Sequence, residues 1–152
     1  MKNFKKLFSL VVIALLFSCS SDDSGSSSSD DLIVGKWKKL SESENGVDQP
    51  LNQCDLMEML DFKSNGDFFH EDYELIEGEC VRDSQSIPDL ITTYKWLKIA
   101  QNSYRLKAFQ NGVEIDGEYM GFTTVFSNSN NKMTVTTVEE EGNVYVTAFQ
   151  RQ

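Results

Sequence analysis

The feature that most restricts the fold of this chain is a two-residue alternation of apolar and polar side chains. After Asp31 the chain consists of short alternating runs separated by turn residues, and no segment keeps a 3.6-residue apolar period. Because successive side chains of a strand point to opposite faces, this alternation is typical of half-buried strands. The sequence therefore predicts an all-β domain.

Turn residues mark the ends of eight predicted strands. Asn65-Gly66 and Asn111-Gly112 predict tight hairpins, because Asn and Gly accept the positive φ that such turns require. The segment Asp83–Leu90, with Pro88, is predicted to be a loop. The predicted strands are Ile33–Ser41, Leu56–Lys63, Asp67–Ile76, Thr92–Ala100, Ser103–Gln110, Val113–Phe126, Lys132–Val138 and Val144–Gln150.

These strands favour a closed barrel over residues 32–152. Eight sequential antiparallel strands leave two unpaired edges unless the sheet closes, and closure into an up-and-down barrel removes both edges. A two-sheet β-sandwich is the alternative. The short sequential connections favour the barrel, because sandwiches of this size usually need Greek-key crossovers.

The first eighteen residues have the pattern of a signal peptide. Positive charge in Met1–Lys6 precedes the apolar run Leu7–Phe17, which would span about 16 Å as a helix and is too short for a bilayer core of about 30 Å. Leu16-Phe17-Ser18-Cys19 resembles a bacterial lipobox, which implies that Cys19 carries a lipid and anchors the protein in a membrane. A plain signal peptide with an incidental cysteine is the alternative.

Residues 19–31 are rich in Ser and Asp and are expected to form a flexible tether. Their start, Cys19 to Asp23, resembles the acidic signal that sends lipoproteins of Bacteroidetes to the outer leaflet of the outer membrane. The resemblance implies a surface-exposed, lipid-anchored protein. A periplasmic orientation stays open.

Charge restricts the partners of the mature chain. Removal of residues 1–18 leaves 11 Lys and Arg against 24 Asp and Glu, a net charge near −13. Nucleic acid is therefore not an expected partner, because its binding requires basic side chains that replace counterions. We expect a monomer.

The chain has three cysteines, and one of them is assigned to the lipid. Cys54 and Cys80 then form an even pair in an oxidising compartment, where a disulfide is the default state. A metal or redox pair is the alternative, but no second pair of ligands stands at zinc-like spacing.

Several residues resemble those of a known family. Gly35-Lys36-Trp37 is similar to the Gly-x-Trp motif of lipocalins, in which the Trp closes one end of the barrel. Cys54, a Phe-x-x-Asn-Gly turn that begins at Phe62, Cys80 and the strand with Trp96 follow in the order found in lipocalin-like lipoproteins of Bacteroidetes. In lipocalins a late Arg packs over the Trp, and the resemblance assigns that place to Arg151.

The resemblance implies a binding protein whose barrel takes a small apolar ligand or a partner at its open mouth. The candidate lining of this cup is aromatic: Phe69, Tyr73, Tyr94, Trp96 and Tyr104. A barrel of this size is also able to fill its interior with its own side chains. The alternative is therefore a filled barrel that acts as a structural, interaction or inhibitor-like lipoprotein.

The sequence offers no pattern for catalysis. The single histidine, His70, has acidic neighbours but no adjacent nucleophile, and no Gly-rich phosphate loop is present. We expect a protein that is not an enzyme and that needs no cofactor and no metal. The Glu139–Glu141 run is interpreted as a solvated hairpin tip, with weak calcium binding as the alternative.

Overall fold

A computed structural model describes residues 30–83 and 92–152, and within strand 113–127 it leaves the side chains of 116–119 undescribed. No helix in these ranges is long and apolar enough to cross a membrane. A single 3₁₀ turn covers Asp55–Met57. The strands are β1 (Gly35–Glu44), β2 (Val47–Asp48), β3 (Met59–Phe62), β4 (Asp67–Glu71), β5 (Tyr73–Ile76), β6 (Glu79–Arg82), β7 (Thr92–Ala100), β8 (Ser103–Gln110), β9 (Val113–Ser127), β10 (Lys132–Val138) and β11 (Val144–Arg151).

Eight of these strands form a closed antiparallel barrel. The order is β1, β3, β4, β7, β8, β9, β10, β11, and β11 returns to pair with β1. This closing ladder runs from Trp37 opposite Arg151 to Glu44 opposite Tyr145. Every neighbour in the ring is also the next barrel strand along the chain. The prediction of an eight-stranded up-and-down barrel is confirmed, and the sandwich is excluded.

Asn-Gly pairs form the tight turns at one end of the barrel. Asn45-Gly46 joins β1 to β2 with φ of 50° and 80°, and Asn111-Gly112 joins β8 to β9 with φ of 51° and 77°. Positive φ at both positions is the requirement of a type I′ turn, which matches the twist of the flanking strands. Asn65-Gly66 also joins two strands, β3 and β4, as predicted, but only Gly66 has a positive φ, of 90°, so this hairpin turn is not of type I′.

Two predicted strands differ from the observed ones. The segment Asp67–Ile76 breaks at Asp72, and its second half leaves the barrel as β5, which pairs with β6 in a separate hairpin. Asp72 accounts for the break, because its carboxylate accepts a hydrogen bond from the backbone N–H of Tyr73 and its carbonyl accepts one from Asp83. The start of Leu56–Lys63 was also wrong, since Leu56 lies in the 3₁₀ turn and β3 begins at Met59.

The disulfide between Cys54 and Cys80 is confirmed, with a Cα–Cα distance of 5.3 Å. It connects the 3₁₀ turn, which precedes β3, to β6. The β5–β6 hairpin is thereby held to the barrel wall at the end where β1 finishes, which we call the open end.

The opposite, closed end holds the aromatic core. Trp37, Trp96, Tyr104 and Phe62 are at most 2% exposed, and the ring of Trp96 packs edge-on against those of Phe62 and Tyr104. Both indoles donate hydrogen bonds to backbone carbonyls, Trp37 to Ile33 and Trp96 to Lys63. The large rings therefore fill this half of the barrel without an unpaired indole N–H.

The chain that enters β1 closes this end. Arg151 lies over the ring of Trp37, with Cζ 4.1 Å from the ring centroid, and donates hydrogen bonds to the carbonyls of Val34, Leu32 and Asn130. The signal peptide and nearly all of the tether predicted for 19–31 lie outside the described residues. The last tether residue, Asp31, is part of the fold, because it accepts hydrogen bonds from Tyr104 and Lys98.

Candidate functional site

The interior of the barrel narrows from an open end to a packed end because the inward side chains change in size. Trp37, Trp96 and Tyr104 fill the closed end, whereas Leu106, Val135 and threonines occupy inward positions farther up the strands. Shorter side chains cannot meet across an eight-stranded barrel, so space remains above the aromatic core. The result is a cavity of about 710 Å³.

Most of the cavity wall is apolar. Phe62, Phe68, Phe122 and Phe149 form its floor and are also part of the core. Other apolar or threonine side chains form the sides: Leu60, Thr92, Thr93, Tyr94, Leu106, Met120, Val135, Thr137 and Thr147. A cavity of this size and lining is within the range of small-molecule sites, which measure about 300–1,000 Å³.

The cavity widens toward a gap in the barrel wall. Strands β4 and β7 pair only between Asp67 and Lys95 and between Phe68 and Tyr94 among the described residues. Beyond these pairs the strands separate, and Asp72 and Asp83 border the cavity there. Among residues 30–83 and 92–152, the cavity is therefore open at the open end and beside the upper part of the β4–β7 ladder.

One wall carries charged side chains that point inward from β1, from β4 and from Glu58, the residue before β3. Lys39 Nζ donates a hydrogen bond to Glu58 Oε2 at 2.7 Å and also forms an ion pair with Glu42. His70 Nε2 lies 3.1 Å from the other oxygen of Glu58. A register shift in β1 between Lys39 and Ser41 allows both Lys39 and Glu42 to face the interior.

The surroundings of Lys39 and Glu58 keep both groups ionised. Burial on its own lowers the pKa of Lys39, but the hydrogen bonds to Glu42 and Glu58 outweigh it and raise that pKa. Burial likewise raises the pKa of Glu58, but His70 and Lys39 outweigh it and hold the pKa below the usual range. One side of the cavity therefore carries charged groups at neutral pH.

Glu58, His70 and Asp72 are close enough to act as a group. One ligand atom from each lies within 4.8 Å of the other two, a separation that allows the three to hold a metal ion. Glu58 is already engaged by Lys39 in this arrangement.

The five aromatic residues predicted for the cup occupy three different places. Tyr94 and Phe69 border the cavity, and Phe69 also borders a smaller groove of about 270 Å³ on the outer face of the barrel. Trp96 and Tyr104 lie beneath the cavity in the core. Tyr73 lies on β5, outside the barrel ring, and is not among the residues that line the cavity.

Sequence reasoning missed the charged wall. Lys39 stands two positions after the buried Trp37, Glu58 two before Leu60, and His70 two after the buried Phe68. Because strand side chains alternate, these spacings indicate inward positions, and this signal was present in the sequence.

Comparison with known proteins gives a distant structural match. No protein-family model matches this chain, and no curated protein matches it. Among solved structures the chain is similar to a de novo designed fluorescence-activating β-barrel, with 12% sequence identity over 80% of this chain and 94% of that chain and a TM-score of 0.40. The assignment of an eight-stranded barrel rests on the strand pairings of this chain itself.

Proposed function

We propose that this protein is a lipid-anchored, lipocalin-like binding protein of the cell envelope that takes one small, mainly apolar molecule into its open end. The observation that carries the proposal is the cavity of about 710 Å³ above a packed aromatic floor. A filled barrel would have no such space. The contact of Arg151 with Trp37 beside Gly35 supports the lipocalin-like part of the proposal.

Dye binding by a cavity-blocking variant tests the binding function. Thr137 lines the cavity, and Thr136, the preceding residue of β10, lies on the opposite face of the strand. Nile red, a neutral fluorescent dye, is titrated into the full-length chain and into the Thr137→Trp and Thr136→Trp variants. We expect wild type and Thr136→Trp to bind alike, and Thr137→Trp to bind about tenfold more weakly because the indole occupies the cavity.

Equal dye affinity in the three proteins would show that the dye binds elsewhere and would contradict the proposal. Absence of a fluorescence increase in wild type would contradict it as well. Thermal melting of both variants controls for folding. A Tm that stays near the wild-type value shows that the added indole has blocked the cavity without disrupting the barrel.

The membrane anchor is tested separately. Cells that express the chain are fed an alkyne-tagged fatty acid, and the purified protein is examined for the tag. The proposal expects labelling of wild type and its loss in Cys19→Ala. An unlabelled wild-type protein would contradict the lipid anchor and would leave the binding function untouched.

A further inference from the structure

We infer that the ligand of this cavity is an amphipathic organic cation, with an apolar chain or ring system and an amine or quaternary ammonium head. The inference rests on the proposed binding function of the same cavity. It is carried by the distribution of charge around an otherwise apolar lining.

The ionisable side chains that border the cavity are almost all acidic. Four carboxylates line it, namely those of Glu58, Asp67, Asp72 and Asp83, together with His70. Lys39 and Lys95 pair with Glu58 and Asp67, but neither lysine is among the described residues that border the cavity, and Asp72 and Asp83 add further negative charge there. An apolar ligand with an anionic head would therefore place its charge next to carboxylates, whereas a cationic head would be attracted to them.

The ammonium group of Lys39, on the charged wall, is not free to receive an anion. Lys39 is only 11% exposed at its side chain, and its Nζ is held between Glu42 and Glu58. An incoming carboxylate would have to replace one of these partners and would leave it buried without its counter-charge, which is costly. The charged wall as a whole has more negative than positive groups, since one Lys stands against two Glu.

Acidic residues at the rim of the open end add to the negative charge around the cavity. Glu44 accepts a hydrogen bond from the hydroxyl of Tyr145, and Glu139–Glu141 form the β10–β11 turn beside it. Desolvation, together with the negative charges of Glu139 and Glu44, raises the pKa of the Tyr145 hydroxyl. Arg82 and Lys107 at this end are paired with Glu71 and Glu114. Negative charge at the Glu44 and Glu139–Glu141 side of the rim raises the local concentration of cationic ligands and increases their association rate.

Three ligands that share a decyl chain and differ only in the head group test the inference. Decyltrimethylammonium, decanol and decanoate are titrated below their aggregation concentrations into the full-length chain at pH 7, by calorimetry in buffer that contains EDTA. We expect the cation to bind about tenfold more tightly than the alcohol and the anion to bind most weakly. Because screening weakens ionic attraction, the preference should decrease when salt is raised to about 0.5 M.

Matched variants locate the recognition of the head group. We expect Asp72→Asn and Glu58→Gln each to lower the affinity for the cation about three- to tenfold and to leave that for decanol nearly unchanged. Asp61→Asn is the control, because Asp61 lies on the outer face and pairs with Lys63. Glu58→Gln removes a partner of Lys39 and could impair folding for that reason. In that case Asp72→Asn still tests the inference.

The possible results separate the two proposals. Equal binding of the three amphiphiles, or tighter binding of decanoate, overturns the cationic ligand and keeps the binding function. Loss of cation affinity in Asp61→Asn to the same extent as in Asp72→Asn also overturns it. If none of the three binds and Nile red fails as well, the proposed function itself is wrong.

Discussion

A single residue, Arg151, connects three parts of the chain at the closed end. Its guanidinium covers Trp37 and donates hydrogen bonds to carbonyls of the segment before β1 and of the β9–β10 turn. The planar fork of arginine suits this combination of stacking and divergent hydrogen bonds, and lysine cannot reproduce it. The penultimate residue of the chain is therefore a structural residue of the barrel.

Replacement of Arg151 by Met is expected to destabilise the protein by roughly 2–4 kcal/mol, because the cation–π contact is lost and carbonyls are left unpaired. Arg151→Lys should recover less than half of this loss. Urea unfolding followed by tryptophan fluorescence measures both variants. Lys132→Met, a change of a half-buried cation on the neighbouring strand, is the control. A loss in Arg151→Met no larger than in this control would contradict the role assigned to Arg151.

Gly35 is required by the same contact. Its φ of +134° lies in a region that favours glycine, and a Cβ added there would stand 2.6 Å from Nη1 of Arg151. We expect Gly35→Ala to cost about 1–3 kcal/mol of unfolding free energy, from backbone strain and displacement of the guanidinium. Gly121→Ala is the comparison, since nothing lies within 4 Å of its Cβ position. Equal stability of the two variants in urea unfolding would contradict this expectation.

At the scale of elements, the β5–β6 hairpin is the part of the described chain that sequence patterning assigned least well. The run from Asp67 to Ile76 alternates well enough to predict one strand, and local patterning carries no information on which partner each half finds. The break depends on hydrogen bonds that Asp72 makes with Tyr73 and with Asp83, eleven residues later. The cysteine count, by contrast, predicted the bond that holds this hairpin to the barrel.

The disulfide is expected to stabilise the fold mainly by restricting the unfolded chain. For a loop of 26 residues the chain-entropy model gives about 3.5 kcal/mol. The Cys54→Ala/Cys80→Ala double variant should lose an amount of this order in urea unfolding, and wild type treated with a reductant should lose a similar amount. An effect of the reductant on the double variant would show that it acts at another site.

At the scale of the whole molecule, patterning predicted the closed ring but not the balance between core and cavity. Alternation identified which residues face inward, among them Tyr94, Trp96 and Tyr104, but it did not give their height along the barrel axis. Height separates Trp96 and Tyr104, which are in the packed end, from Tyr94, which lines the cavity. The height of a side chain along the barrel axis depends on the register between strands. That register is set by long-range pairing and by bulges such as that of β1.

Carboxyl groups at both ends of the barrel make the stability of the fold depend on pH. At the closed end, burial on its own raises the pKa of Asp31, but Lys98 and Tyr104 outweigh it and hold the pKa below the ordinary 3.8. Glu58 at the cavity wall is held below its ordinary 4.5 in the same way. A carboxyl whose pKa is lowered by folding contributes stability above its unfolded pKa and loses it as the pH falls through the folded value.

The free energy of unfolding should therefore be nearly constant from about pH 6 to pH 9 and decrease as the pH falls below about 4.5. Lys39, whose pKa is raised, contributes stability that is lost only above its ordinary 10.5. In the Asp31→Asn and Glu58→Gln variants the acid-induced decrease should be smaller than in wild type, because one of the responsible carboxyls is absent. Urea unfolding at intervals between pH 3 and pH 8 measures this difference. If the free energy of unfolding depends on pH in both variants as it does in wild type, the expectation is wrong. Folding would then leave the pKa values of Asp31 and Glu58 unchanged, and other carboxyls would govern the acid response.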